Sequence, residues 1–152
     1  MYGNGINAYR QVKVTTADPK KLILMCYEGV ISNLKIAKDA YTAGEFEAKG
    51  KAVQKVQDIL TLLIQSLDFD QGGSIAMGLN SLYTYMMRRL TEADVQRELK
   101  IFDEIIGMLE ELESAWKEIS DTPISNNISD SRHIGFTEEK KQEVSKAIGG
   151  AY

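Results

Sequence analysis

The sequence predicts an all-α protein, an antiparallel up-down-up-down four-helix bundle with an N-terminal arm and a short C-terminal fifth helix. Three observations lead there. Apolar residues recur at alternating steps of three and four in four separate segments, the period of a helix with one buried face. The connections between those segments are short, which makes consecutive helices antiparallel neighbours. No segment sustains the alternation of a strand. The expected divisions are an arm over 1–17, the bundle over 18–120, and a loop with a short helix over 121–152.

The arm carries Tyr2, Ile6, Tyr9, Val12 and Val14 among polar residues. It is too apolar for a purely solvated tail and too short to fold alone. It either packs on the bundle or acts as a detachable cover for a groove. Asp18 and Pro19 open the first helix, because Asp is a good N-cap and proline suits the first helical position. Ile23, Tyr27, Val30, Leu34, Ala37 and Tyr41 form its seam, and Gly44 is the expected C-terminal cap. Its front is unusual: residues 22–27, LILMCY, are six apolar residues in a row. They surround the helix rather than line one face. A bundle buries one side, so the arm, a second copy of the chain or a partner is expected to cover the remainder.

The second helix is expected from about residue 45 to 67, with Val53, Val56, Leu60, Leu63 and Leu67 as seam. Ile59, Leu62 and Ile64 add apolar surface outside it. Residues 68–73 read as a turn, with Gly72-Gly73 as a chain-reversal signal. The third helix is seamed by Ala76, Leu79, Tyr83, Met86 and Leu90. A second row, Ile75, Leu79, Leu82 and Met86, widens the seam into a broad core face. Arg88 and Arg89 suit the negative end of its dipole. A break is expected at Asp94, then a fourth helix over 95–119 with Phe102, Ile105, Leu109, Leu112, Trp116 and Ile119 inward. That segment holds three basic and seven acidic side chains, so its outer face is acidic and solvated. Residues 120–135 are loop-like, with Pro123, Asn126 and Asn127. Thr137 caps an expected short helix through about 148, weakly amphipathic through Val144, Ala147 and Ile148, and loosely docked or mobile.

Composition limits function. At 152 residues the chain is long enough to bury a real core as one domain. A net charge of −4 argues against nucleic-acid binding, which needs a basic face to displace counterions. The one cysteine, Cys26, excludes an intrachain disulfide framework and fits a reducing cytosol. The N-terminus lacks the apolar core of a secretory signal, and no apolar run approaches the roughly 18 residues that a membrane span requires. The chain reads as soluble and unprocessed.

Bundles often host catalytic or metal sites, and the ligands for them are missing here. A di-iron centre needs inward glutamates with Glu-x-x-His pairs, and the sole histidine, His133, lies in the loop after the fourth helix. The same shortage removes haem ligation and a phosphotransfer histidine. Cys26, inside a helical apolar run, reads as a buried, inert thiol. The glycines of QGGS lack the GxxxxGK[ST] pattern of a phosphate loop. No nucleophile, base and oxyanion donor assemble. The expectation is a non-enzyme that uses no cofactor and no metal, its function carried by surplus apolar surface of the kind that receives a partner helix.

Taken together, residues 8–119 resemble the flagellar export chaperone family FliS. The resemblance rests on AYRQVKVTTADPKKLILMCYEG, on SLDFDQGGSIAMGLNSLYTYMMRRLTEAD, and on the late tryptophan in SAWKEI. The middle block is specific, with the double glycine followed in order by Ala76, Leu79, Leu82-Tyr83, Met86 and Arg89-Leu90. Cys26 stands where the family more often has an aliphatic residue, and the chain beyond about Pro123 falls outside the family pattern. The resemblance implies a cytosolic chaperone that binds the C-terminal segment of flagellin, prevents its premature polymerisation and keeps it competent for flagellar type III export. By matching positions it implies client contact at Ile6 and Tyr9 in the arm and at Leu22, Met25 and Tyr27. Less directly it extends to Ile59, Leu62, Ile75, Leu79 and Tyr83. In related proteins the arm occupies part of the client groove when no client is present. Export-gate components or a co-chaperone are further partners this reading leaves open. The competing reading is a structural bundle whose apolar excess forms a homodimer, with no flagellin client; a helical-bundle enzyme stands third.

Overall fold

The computed structural model describes residues 18–120 and 138–149. The expected arm with Ile6 and Tyr9, the loop through 137 and His133 lie outside the described residues. Five helices follow in order: α1 Pro19–Thr42, α2 Phe46–Gln65, α3 Phe69–Gln96, α4 Lys100–Ser120 and α5 Glu138–Gly149.

The start and end of α1 follow from local chemistry. Asp18 is extended, and its Oδ1 accepts a hydrogen bond from the Lys21 amide at 2.8 Å, satisfying one of the helix's orphan donors. Pro19 follows at the first helical position. At the other end Gly44 adopts φ 77°. The Gly44 amide donates to the Tyr41 carbonyl and the Glu45 amide to the Ala40 carbonyl, which is the Schellman pattern. The Tyr41 ring meets Phe46 edge-on at 5.8 Å, and Lys49 Nζ lies over Tyr41, so the α1–α2 turn carries its own small cluster.

Two boundaries differ from expectation. Residues 68–73 are not a simple turn. Asp68 Oδ1 accepts from the amides of Asp70 and Gln71, a short helical turn forms, and only Gly73 leaves helical geometry, at φ 52°, ψ −129°. The expected break at Asp94 is absent. Its carboxylate pairs with Lys49 of α2 and the helix runs on to Gln96. The chain turns instead at Arg97, in the left-handed region at φ 55° without a glycine to announce it. The fourth helix accordingly starts at Lys100, not at residue 95.

Pairs between helices establish the topology. Lys49 near the start of α2 meets Asp94 near the end of α3. Tyr85 and Arg89, late in α3, meet Glu104, early in α4. Lys38 near the end of α1 meets Asp103 near the start of α4 at 2.7 Å. Each helix therefore runs opposite to the next, and α4 returns beside α1, an antiparallel four-helix bundle.

The core follows the expected seams with a departure in α2, where Ile59, expected outside the seam, is fully buried and Val53 and Leu67, expected within it, are only partly buried. Leu34 of α1, Leu60 of α2, Met86 and Leu90 of α3, and Ile105 and Leu109 of α4 are almost wholly buried. Helix α1 is the axis of the bundle: it touches α2, α4 and α5. That is why ten of its residues are buried, including four of the six in LILMCY. Helix α5 packs on α2 and α1 and sends Val144 into the main core.

Candidate functional site

At the centre of the bundle three side chains from three helices are tied together. Trp116 Nε1 donates to Tyr27 Oη at 3.0 Å, and the hydroxyls of Tyr27 and Tyr83 lie 2.6 Å apart. The two tyrosine rings meet edge-on with centroids 6.3 Å apart. All three side chains are buried, so these polar tips satisfy one another rather than water. Burial pushes the Tyr27 hydroxyl up to about 12 and raises that of Tyr83 well above its ordinary value. Both keep their protons at neutral pH. Cys26 lies in the same interior, its thiol pushed up to about 12 by burial, which removes the thiolate a nucleophile would need.

A second polar cluster clasps α3 to α4 nearer the surface. Arg89 holds Glu104 through Nε at 3.1 Å and Nη2 at 2.8 Å, and also pairs with Glu92. Tyr85 donates its hydroxyl to the other oxygen of Glu104. That donation, with the Arg89 contacts, holds the Glu104 carboxyl below its ordinary value. The clasp and the Lys49–Asp94 pair fix the C-terminal half of α3, where Met86, Leu90 and Ala93 are buried.

The N-terminal half of α3 is different. Ile75, Leu79, Leu82 and Met86 follow at +4, +3, +4 and so share one helix face. Expected to widen the core face, with Ile75 and Leu79 also implied for client contact, this row enters the core only at its end. Ile75 is 48% exposed, Leu79 half-buried, Leu82 37% exposed and Met86 fully buried. The face that is interior at Met86 is therefore open to solvent at Ile75, about three turns earlier. Small and polar residues flank it: Ser74, Gly78 and Ser81 are exposed and Asn80 is half-buried. Met77, 63% exposed, points elsewhere on the helix. Such a row offers anchors at helical spacing to an amphipathic partner helix.

The residues implied for client contact divide by burial. Leu22, Tyr27, Ile59 and Tyr83 lie inside the core of this chain. Met25, Leu62 and Leu79 are half-buried at its margin, and Ile75 is exposed. Leu62 borders an open cleft of about 400 Å³ between α2 and α5, with Asp58, Thr61, Glu143, Lys146 and Ala147. Leu82 belongs beside Ile75 and Leu79 although sequence reasoning placed it in the core; its +3 spacing from Leu79 was the available signal. Among the described residues no group of three or more His, Cys, Asp and Glu side chains is gathered as a metal would need, and no helix is long and apolar enough to cross a membrane.

Comparison with known proteins adds a family. Residues 2–123 match the model of the family described as flagellar protein FliS. A protein of Salmonella typhimurium named flagellar secretion chaperone FliS is 38% identical over 122 residues, covering 77% of this chain and 90% of the relative. Its counterparts of that name in Vibrio cholerae and Bacillus subtilis are each 32% identical. They cover 75% and 76% of this chain, and 87% and 85% of their own length.

Proposed function

This chain belongs to the FliS family, and on that premise we propose that it is a cytosolic chaperone for flagellin. It binds the C-terminal segment of the newly made subunit, blocks premature polymerisation and presents the subunit for type III export. The observation that supports this most is the open apolar row on α3. A flagellin segment that polymerises through apolar helix faces has to be covered along its length. Ordering a disordered segment also costs several kcal/mol, which calls for an extended apolar contact rather than one pocket. A row that begins in solvent at Ile75 and ends in the core at Met86 supplies anchors at the spacing a client helix would present.

Met25, Leu62, Ile75, Leu79 and Leu82 form the accessible part of the client surface; Leu22, Tyr27, Ile59 and Tyr83 support it from beneath. Binding is stoichiometric and uses shape and apolar area, with no catalytic step. The test is titration of a flagellin C-terminal segment against the wild type, Ile75→Asp and Leu82→Asp, with Val95→Asp as a control. Val95 is 78% exposed, on the same helix but off the row. A carboxylate on the row weakens binding by about tenfold or more, roughly 1.4 kcal/mol, with the melting temperature unchanged, and Val95→Asp binds as the wild type does. Equal affinity for all four proteins, or no binding by the wild type, would refute the assignment.

A further inference from the structure

Helix α5 lies beyond the stretch matched to the family, which ends at residue 123. It nevertheless packs on α2 and α1 and contributes a side chain to the main core. How it is held is informative. Val144 is 1% exposed, Ala147 is partly buried three residues on, and Glu139, Gln142 and Lys146 face water. A twelve-residue helix is thus seated through small aliphatic anchors at helical spacing. Helices of this length are marginal on their own, so α5 depends on the surface beneath it.

That surface is the one whose apolar excess is hardest to explain from a four-helix bundle alone. Helix α5 borders Asp58, Thr61 and Leu62 of α2. Because α1 and α2 run antiparallel about the turn at residues 43–45, this stretch of α2 is level with the front half of α1. The level residues are about 26–30, so LILMCY reaches this stretch with its last residues, Cys26 and Tyr27. Helix α5 therefore lies beside Leu62, the α2 residue that the proposed function assigns to flagellin, and meets it with an amphipathic helix.

We propose that α5 is a resident stand-in for the client: it occupies the α1–α2 end of the client surface and is displaced when an amphipathic helix of flagellin takes its place. The inference rests on the chaperone reading. It adds that the α1–α2 part of the client surface, distinct from the α3 row, accepts small aliphatic anchors three residues apart. It also gives the chain a means of weakening its own affinity, since a cover closed about nine parts in ten raises the apparent Kd about tenfold. Seventeen residues join α4 to α5, so the displaced helix stays tethered and can return once the client leaves.

The test uses the full chain in two measurements. Hydrogen exchange is followed in α5 with and without a flagellin C-terminal segment, and the same segment is titrated against the wild type and Val144→Asp, which expels α5 by burying a charge beneath it. Faster exchange in α5 on client binding, and about tenfold tighter binding by Val144→Asp, are the expected results. Unchanged or slower exchange in α5, with Val144→Asp binding no tighter than the wild type, would overturn the inference and leave the chaperone reading in place. Binding by neither protein would overturn both. If Val144→Asp fails to fold, the exchange measurement on the wild type decides alone.

Discussion

Removing single hydroxyls from the Tyr27–Tyr83–Trp116 network gives an ordering of stabilities that follows from counting orphaned groups. Tyr27 takes part in both hydrogen bonds, and Tyr83 and Trp116 in one each. Tyr83→Phe breaks one bond and leaves Tyr27 still accepting from Trp116, for a cost of about 1–1.5 kcal/mol. Tyr27→Phe breaks both and strands two groups in a dry site, the Trp116 N–H and the Tyr83 hydroxyl. At about 1–3 kcal/mol for each stranded group, the cost is about 3 kcal/mol. The double variant strands only the Trp116 N–H, so it is more stable than Tyr27→Phe alone by about 1 kcal/mol. Both rings are almost fully buried and keep their volume in every variant, so packing contributes little to these differences. Urea unfolding followed by far-ultraviolet circular dichroism, with Trp116 fluorescence as a second probe, measures all four proteins. Additive costs in the double variant, or Tyr83→Phe as costly as Tyr27→Phe, would show that the three groups are not coupled as the distances indicate.

Three further outcomes follow from single sites. Gly44→Ala destabilises by about 1 kcal/mol, because Gly44 sits at φ 77°, whereas Gly50→Ala in the interior of α2 stabilises by about 0.5–1 kcal/mol; thermal melts give both signs, and a stabilising Gly44→Ala would contradict the Schellman cap. Cys26, its thiol raised to about 12 by burial, resists disulfide reagents at pH 8 in the folded chain and reacts fully in urea; rapid reaction without denaturant would contradict its burial. Glu113 Oε1 is buried without a hydrogen-bond partner, and burial first of all raises its carboxyl above the ordinary 4.5. A raised folded-state value favours the fold at low pH and is a cost once the group ionises, so Glu113→Gln melts higher than the wild type at pH 7. That advantage fades as the pH falls through the raised folded-state value toward 4.5 and is gone below it, and an advantage that persists at pH 3 would exclude ionisation as its source.

The helices were legible wherever their cause was local. Asp18-Pro19 and Gly44 announce the ends of α1, and the alternating steps from Ile23 to Ala37, or from Phe102 to Leu109, predict the buried faces. The α3–α4 turn was not legible, because Arg97 takes a glycine-like conformation and Asp94, a nominal breaker, is held in the helix by Lys49, forty-five residues earlier. The division of core from open surface was hidden for the same kind of reason. Tyr83 and Leu82 are adjacent in sequence and both lie on apolar rows, yet Tyr83 is 1% exposed and Leu82 37%. What separates them is the placement of α1 and α4, to which periodicity within α3 is blind. Helix α5 is the extreme case: its weak pattern, in EEKKQEVSKAIG, carries no sign that Val144 reaches the main core. The excess in LILMCY matches the deep burial of α1, four of whose six residues there are buried, and α1 also touches α5.

The chaperone account stands most directly on coupled folding and binding, and calorimetric titration with the C-terminal segment of flagellin at several temperatures measures it. The account predicts a one-to-one complex, a large negative heat-capacity change from buried apolar area, and a gain of helical circular dichroism beyond the sum of the free components. No binding at about 50 µM, a free energy near −6 kcal/mol, would contradict it. A bundle that ignored flagellin but sedimented as a tight dimer would show that the open face of α3 serves a second copy of the chain instead.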